Sequence, residues 1–400
     1  MGLKGEAAIV GFSEMAPTRK PIDQAFDLER WARLAASTIA DAGLSLSDVD
    51  GIVTHSISES HTFIPSTIVE YLGIGVNFAE IVDLGGATAA GGVWRAAAAI
   101  ELGLCEAVLV VTLGSHTVPT SPLKPREVSQ GYHFGASSNI YGSPQAEFEI
   151  PYGNLGQNGP YAQVAQRYAY EYGYDERALA KIPVDQRVNA NHHPGAIFHD
   201  VPLAIEDVLA SRMIAAPLHI LEIVMPVQGG AAVLVTSERL ARKARHRPVW
   251  ISGFGEHVPY KTPTYAKSLL DTPMKTVAAS AFAMARIERT DVDMVSIYDC
   301  YTITVLLELE DAGFCEKGQG ARFLAERDLT FRGDFPMNTA GGQLGFGQAG
   351  LAGGMHHVID GTRQIMGRAG RTQLAECSRA FVTGNGGILG EQTALVLIGD

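Results

Sequence analysis

The sequence predicts an α/β fold made of two duplicated βαβαβ halves with a long segment inserted between them. Strand-like runs such as "AAIVGF" (7–12) and "EAVLVVTLG" (106–114) are apolar throughout, the mark of strands covered on both faces. They alternate with segments of helical period, as βα units do. Two stretches also recur in register. "IVGFSE" (9–14) is echoed by "ISGFGE" (251–256), and "SDVDGIV" (47–53) by "TDVDMVS" (290–296). The spacing from the first stretch to the aspartate of the second is 39 residues in one copy and 40 in the other, so the two matches share the same offset to within one residue. That agreement argues for duplication.

Taken in order, "AAIVGF" is a buried strand and "DLERWARLAASTIADAGL" (27–44) an amphipathic helix stopped near Gly43. "GIVTHS" is the next strand. "VDLGGATAAGGVWRAAAAI" (82–100) follows, an acidic residue and a tight Gly/Ala/Thr segment opening a helix of small residues, and "EAVLVVTLG" closes the half. The interval 117–245 differs in character. Its first part is rich in Gly, Pro, Ser and aromatics and too long for an uncovered loop, so it reads as a lid over a ligand cleft. Helices are expected within it at "YAQVAQRYAYEYG" and "AIEDVLASRM". The division is therefore 1–116, 117–245 and 246–400.

Bulk chemistry narrows the function. Of 400 residues, 46% are hydrophobic, enough for a large core. Formal charge is −12 with no basic run, which argues against nucleic acid as a partner. The four cysteines, Cys105, Cys300, Cys315 and Cys377, are scattered without C-x-x-C spacing, so reduced thiols are expected and neither a disulfide framework nor structural zinc. The start lacks a signal-peptide pattern, and no apolar run approaches the ~18 residues of a membrane span. A cytoplasmic location is the expectation.

Single motifs are weak. "GFGQAG" (345–350) fits G-x-G-x-x-G, but no convincing strand precedes it, and Asp360 lies only ten residues beyond rather than about twenty. His192, His193 and His199 meet a loose H-x₃₋₅-H spacing without an acidic or thiol partner, so no metal is expected. His356 and His357 read as core or surface residues. His116, just past a strand's C-terminal end, stands where open α/β sheets keep ligands and is a candidate site residue.

Six segments in order, "QRYAYEYGYDERALAKI", "NANHHPGAIF", "SRMIAAPLHILE", "IYDCYTITVLLELEDAGFCEKGQGARF", "NTAGGQLGFGQAGLAGG" and "VTGNGGILGEQTALVLI", resemble the thiolase superfamily in its lipid-transfer, sterol-carrier thiolase-like branch. The resemblance implies a five-layered α-β-α-β-α arrangement with a central loop domain. It also implies where four catalytic groups would stand, and each is replaced. The nucleophilic cysteine falls on Gly86, the second cysteine on Val382, the activating histidine on Gln348, and the carbonyl-holding Asn or His on Tyr298. Acyl transfer through a cysteinyl enzyme has no nucleophile here. Cys300 is a poor substitute, because Asp299 beside it disfavours a thiolate.

What persists is a helix start whose amides can hold a thioester oxygen, at Gly86, with Gly386 of the "TGNGG" turn as the second donor. Tyr298 is either half of a packed aromatic pair with Tyr301 around an N-cap Asp299, or an acid/base or carbonyl donor. As a base it would need a nearby donor or cation, since free tyrosine titrates near ~10. Gln348 can orient a carbonyl or water but cannot be a base. Three functions stay open. One is retro-aldol cleavage beside a CoA thioester, as in the cysteine-less steroid side-chain aldolases that the chain resembles. The others are a thiolase or acyl-CoA acyltransferase, and a non-catalytic acyl-CoA or lipid carrier. Those aldolases have tyrosine where this chain has Gln348, which leaves the proton acceptor unassigned. The resemblance further implies an acyl-CoA substrate with no bound cofactor, a homodimer, and a small OB-fold/zinc-ribbon partner.

Overall fold

The echoed stretches become equivalent elements in the two halves. We describe the chain from a computed structural model covering residues 2–19, 25–114 and 141–400. Its strands are β1 (Ala7–Thr18), β2 (Gly51–Thr54), β3 (Phe78–Ile81), β4 (Ala107–Leu113), β5 (Met213–Ala215), β6 (Leu218–His219), β7 (Gln228–Ser237), β8 (Val249–His257), β9 (Met294–Ser296), β10 (Arg379–Gly386) and β11 (Glu391–Gly399). β5 and β6 form a small separate ladder. The other nine run in the order β3-β2-β4-β7-β1-β8-β11-β10-β9.

"IVGFSE" lies in β1 and "ISGFGE" in β8, and the two strands pair directly through Ala8 with Trp250 and Ile9 with Val249. "SDVDGIV" and "TDVDMVS" each fold as a 3-10 turn entering β2 or β9. Their shared aspartates explain why the pattern is kept in both copies. Asp48 and Asp291 accept the backbone N–H that opens each turn, from Ser45 and Glu288. Asp50 and Asp293 accept two N–H groups each at the start of the neighbouring parallel strand, from Glu106 and Ala107 and from Ser378 and Arg379. The second half ends its sheet at β9, where an isolated bridge from Val295 to Met337 stands in for β3.

Three large apolar cores join the layers, the middle one reaching both half-sheets. Helix Asp27–Ala42 covers one half-sheet through Trp31, Leu34 and Ile39. Helices Thr88–Glu101 and Ala352–Ile365 lie between the half-sheets, with Ala89, Val93, Ala97, Met355 and Val358 in the middle core. Helices Met274–Ala285 and Thr302–Ala312 cover the other half-sheet. The first middle helix is poor in bulk where it lies on its half-sheet: a Cβ at Gly92 would lie 3.0 Å from Val110 and 3.1 Å from Val53, partners on β4 and β2.

One boundary needs correction. The interval 117–245 is not all cover, because its residues 228–237 form β7, paired antiparallel with both β4 and β1. The apolar run "GGAAVLVTS" is long enough to fill a buried strand, and burial decides its place. The helices expected in the interval form at Asn158–Tyr172 and Ile205–Ala210, with a further one at Glu176–Asn191.

The echoed glutamates lock the halves together crosswise. Glu256 of β8 receives a forked pair from Arg95 (2.6 and 2.8 Å) and the Trp94 indole N–H (2.9 Å), both on the first half's central helix. Glu14 of β1 receives Arg363, and His356 at 2.9 Å, from the second half's central helix. Burial alone would push the Glu14 carboxyl up, but Arg363 and His356 outweigh it and hold it down at about 2. Because the folded value is depressed, this contribution is complete above the unfolded value of about 4.3 and is lost as pH falls towards 2. Glu14→Gln is therefore expected to cost about 3 kcal/mol at neutral pH and to flatten the acid side of the stability curve, read from urea midpoints between pH 7 and 3.

Candidate active site

Gly86 sits where three backbones meet. Thr88 fixes the turn before the central helix by accepting the Leu84 N–H on its hydroxyl at 2.9 Å, while Ala87 N–H donates to the Leu84 carbonyl at 3.0 Å. From the other central helix, Gly354 comes so close that a Cβ there would lie 2.3 Å from the Gly86 carbonyl oxygen. A Cβ on Gly86 itself would lie 2.0 Å from Tyr298 Oη and 2.4 Å from the Asn385 carbonyl oxygen. No side chain fits. The phenol of Tyr298 occupies the place where a residue at 86 would project, while the Gly86 backbone stays partly exposed.

Tyr298 is held from below. Its N–H donates to Thr383 Oγ1 at 2.8 Å, and Asn338 clamps the preceding Ile297 by both its N–H and its carbonyl, at 2.8 and 3.0 Å. Its oxygen accepts from Gln348 Nε2 at 3.3 Å and is also supported by the Gln343 carboxamide. Gln348 is in turn fixed by its main chain, donating to the Met225 carbonyl and accepting from Val227 N–H, both at 2.9 Å. Burial pushes the Tyr298 phenol well above its usual value. Cys300 and Asp299 add to the rise, and Gln348 and Gln343 oppose it. At neutral pH the group is a neutral phenol whose oxygen faces two carboxamides. The Oε1 atoms of Gln343 and Gln348 are buried without a partner among the described residues.

Asp299 does not cap the helix that follows it. That helix, Thr302–Ala312, starts at Tyr301 with no side-chain cap. Asp299 instead accepts the N–H groups of Gln343 (2.8 Å) and Leu344 (3.0 Å) at the start of the short helix Gly342–Phe346, and lies 3.0 Å from His357 Nε2. His357 is fully buried, with Nδ1 2.9 Å from Ser296 Oγ and its ring 5.6 Å from that of Tyr298. Nor do Tyr298 and Tyr301 pair. Tyr301 stacks at 4.0 Å on Tyr161, a residue of the inserted helix Asn158–Tyr172.

The end of β10 forms the opposite wall. The expected turn at 383–390 begins later than expected: residues 383–386 are still strand. A Cβ at Gly386 would lie 2.0 Å from the Leu84 carbonyl oxygen, and one at Gly384 2.9 Å from Ala87 Cα, so both glycines lie against the segment that holds Gly86. Asn385 between them donates to Tyr161 Oη at 2.9 Å, and Tyr161 donates to the Gly387 carbonyl at 3.2 Å. Cys300 is buried and hydrogen-bonded here, its thiol pushed up to about 12 mainly by burial. Val382, at the second cysteine position, is packed in the middle core.

Gly86, Tyr298, Gln348 and Gly386 are thus brought together. His116 lies outside the described residues. His192, His193 and His199 point to separate partners, and no group of three or more metal-binding side chains occurs among the described residues. Sequence reasoning passed over Gln343, Asn385 and Tyr161. The first could have been suspected from its place in "NTAGGQL", beside the segment that carries Gln348.

The chain is similar to several known proteins. Residues 255–399 match the thiolase C-terminal domain-like family. The chain is 31% identical to a steroid side-chain-cleaving aldolase of Thermomonospora curvata, over 96% of both chains. It is 30% identical to the 17-hydroxy-3-oxo-4-pregnene-20-carboxyl-CoA lyase of Mycobacterium tuberculosis, over 96% of this chain and 98% of that one. The solved Ltp2-ChsH2(DUF35) aldolase superposes with a TM-score of 0.84 at 29% identity, covering 100% of this chain and 99% of the other.

Proposed function

We propose a function from one premise: this chain belongs to the thiolase superfamily, in the family of the steroid side-chain-cleaving aldolases. It is a lyase that acts on a CoA thioester. The substrate we assign is a β-hydroxy acyl-CoA, cleaved by a non-covalent retro-aldol step.

One observation carries this reading. The phenol of Tyr298 fills the place above Gly86 where a nucleophilic side chain would stand. A site with an amide-lined helix start and a neutral acid, but no room for a thiol, suits a reaction in which charge develops on a thioester oxygen without an acyl-enzyme. The β-hydroxyl gives up its proton, its oxygen keeps the electrons as a ketone forms, and the Cα–Cβ pair moves into the thioester as an enolate. The Gly86 amide and one from the Gly384–Gly386 strand end stabilise the enolate oxygen. Tyr298 then protonates Cα, releasing a shortened acyl-CoA, while Gln348 and Gln343 steady its oxygen.

The name of the solved Ltp2-ChsH2(DUF35) aldolase supports a partner chain for this protein as well, and to it we add, from the family resemblance, that the partner is a small OB-fold/zinc-ribbon protein, that the chain is a homodimer and that it is cytoplasmic. No helix of the described residues is long and apolar enough to cross a membrane.

The test is direct. The chain, with its partner, is incubated with a β-hydroxy acyl-CoA bearing a tertiary hydroxyl. A ketone and a shortened acyl-CoA are expected in equal amounts, with no effect of iodoacetamide. An acyl-enzyme trapped on a cysteine would overturn the reading in favour of acyl transfer, and tight acyl-CoA binding with no product would overturn it in favour of a carrier.

A further inference from the structure

The retro-aldol reading needs a group to take the β-hydroxyl proton, and most titratable groups around Gly86 are already committed. Asp299 has both oxygens on backbone N–H groups, one of them also facing His357. His357 has partners at both ring nitrogens and is fully buried. Glu308 is enclosed, with Thr383 on one oxygen and Gln392 on the other. The Cys300 thiol is too weak an acid to exist as thiolate at neutral pH.

Glu391 differs from all of these. It opens β11 and pairs across the strand end with Gly386. Its Oε2 lies 2.7 Å from where a Cβ of Gly386 would project and 3.6 Å from where one of Gly85 would. The carboxylate therefore fills the seam between the two glycine backbones, one residue from Gly86. The side chain is only partly buried, and the carboxylate has no hydrogen bond or ion pair with another described residue.

We propose that Glu391 is the general base of this site and takes the proton of the substrate's β-hydroxyl as the Cα–Cβ bond breaks. This rests on the aldol reading above. The hydroxyl proton passes to the Glu391 carboxylate and the C–C electron pair to the thioester. Tyr298 supplies the proton to Cα. Solvent then takes the proton from Glu391 and returns one to Tyr298, so no proton is gained or lost over a turnover. The charges facing Glu391 are Asp83 and Lys261. Burial raises its pKa, Asp83 adds to the rise and Lys261 opposes it, which moves the carboxyl above the ordinary glutamate range. A general base is active when deprotonated, so the rate falls as pH falls through that raised value.

Two variants in the full chain with its partner test this. Glu391→Gln is expected to lower kcat about 10²-fold with KM within about threefold, and to remove the acid limb of the pH–rate profile. Glu391→Ala is expected to show the same loss, with formate restoring about tenfold of it. A Gln variant that cleaves at the wild-type rate or keeps the acid limb overturns the proposal. So does an Ala variant whose lost rate formate does not restore, since that is the behaviour of a structural residue. Ketone release by the wild type tests the aldol reading separately: with release intact, failure of the variants removes Glu391 alone.

Discussion

Tyr298→Phe is expected to lower the rate of C–C cleavage by about 10³-fold while leaving acyl-CoA affinity within about threefold. The reasoning starts from protonation. Burial keeps the phenol neutral, and its oxygen faces the Gln348 and Gln343 carboxamides, so its single proton is the group's chemical asset. Removing the oxygen removes the acid that delivers a proton to the enolate carbon. It leaves the shape of the site almost unchanged, because the ring stays clamped through Asn338 and Thr383. Binding rests on the rest of the acyl-CoA, so the loss should fall on kcat and not on KM. Gln348 Nε2 loses its acceptor, and the fold should weaken by about 1–2 kcal/mol, readable as a small drop in urea midpoint. Steady-state kinetics with a β-hydroxy acyl-CoA decide the matter. A Phe variant with wild-type kcat would show that the phenol is only packing, the reading in which Tyr298 is merely an aromatic core residue.

The parts of this site that were legible in the sequence are those that local chain context fixes. Gly86 is set by a helix start, Tyr298 by the strand β9 before it, and Gln348 by the glycine-rich segment around it; the last two lie in the six resembling stretches, and Gly86 in the segment 82–100 that opens its helix. The crosswise glutamates could be sensed as a repeat, but not as partners of Arg363 and Arg95, because a repeat does not say which helix each copy faces. Gln343 was out of reach for a plainer reason. It reaches the Tyr298 oxygen from a helix of five residues that is held by Asp299, forty-four positions earlier, and no periodicity marks so short an element. β7 was misplaced because its position in the chain argued for the lid, while its composition argued for the sheet, and burial decided. Helix Glu176–Asn191 carries Pro183 in its interior, which on sequence grounds argues for a break. Asp175 caps it firmly, accepting from the N–H groups of Arg177 and Ala178 at 3.0 Å, and Leu179 and Ile182 bury completely.

Restoring the missing thiol should abolish activity, not convert it. In Gly86→Cys the new Cβ would stand 2.0 Å from Tyr298 Oη and 2.4 Å from the Asn385 carbonyl oxygen, distances that non-bonded atoms do not adopt, with the sulfur still to be placed beyond. Either the phenol leaves its seat or the Leu84–Ala87 turn is pushed off the end of β10. The first loses the acid and the second loses the converging amides, so no cleavage should be detectable in either case. Overpacking of this kind costs about 1–3 kcal/mol, so the variant should still fold and the loss can be read on folded protein. Nor should thiolase activity appear, because the position that would activate the thiol is Gln348, whose carboxamide cannot take a proton. The double variant Gly86→Cys/Tyr298→Ala separates space from chemistry. With the phenol gone only the Asn385 carbonyl still crowds the new Cβ, a contact that a shift of the strand end can relieve, and the thiol at this helix start should alkylate with iodoacetamide faster than buried Cys300, as read by peptide mass spectrometry. Cleavage should stay absent. If Gly86→Cys alone still released ketone at the wild-type rate, Tyr298 could not be standing where a side chain at 86 would project, and the exchange of a nucleophile for an acid at one point in space would be refuted.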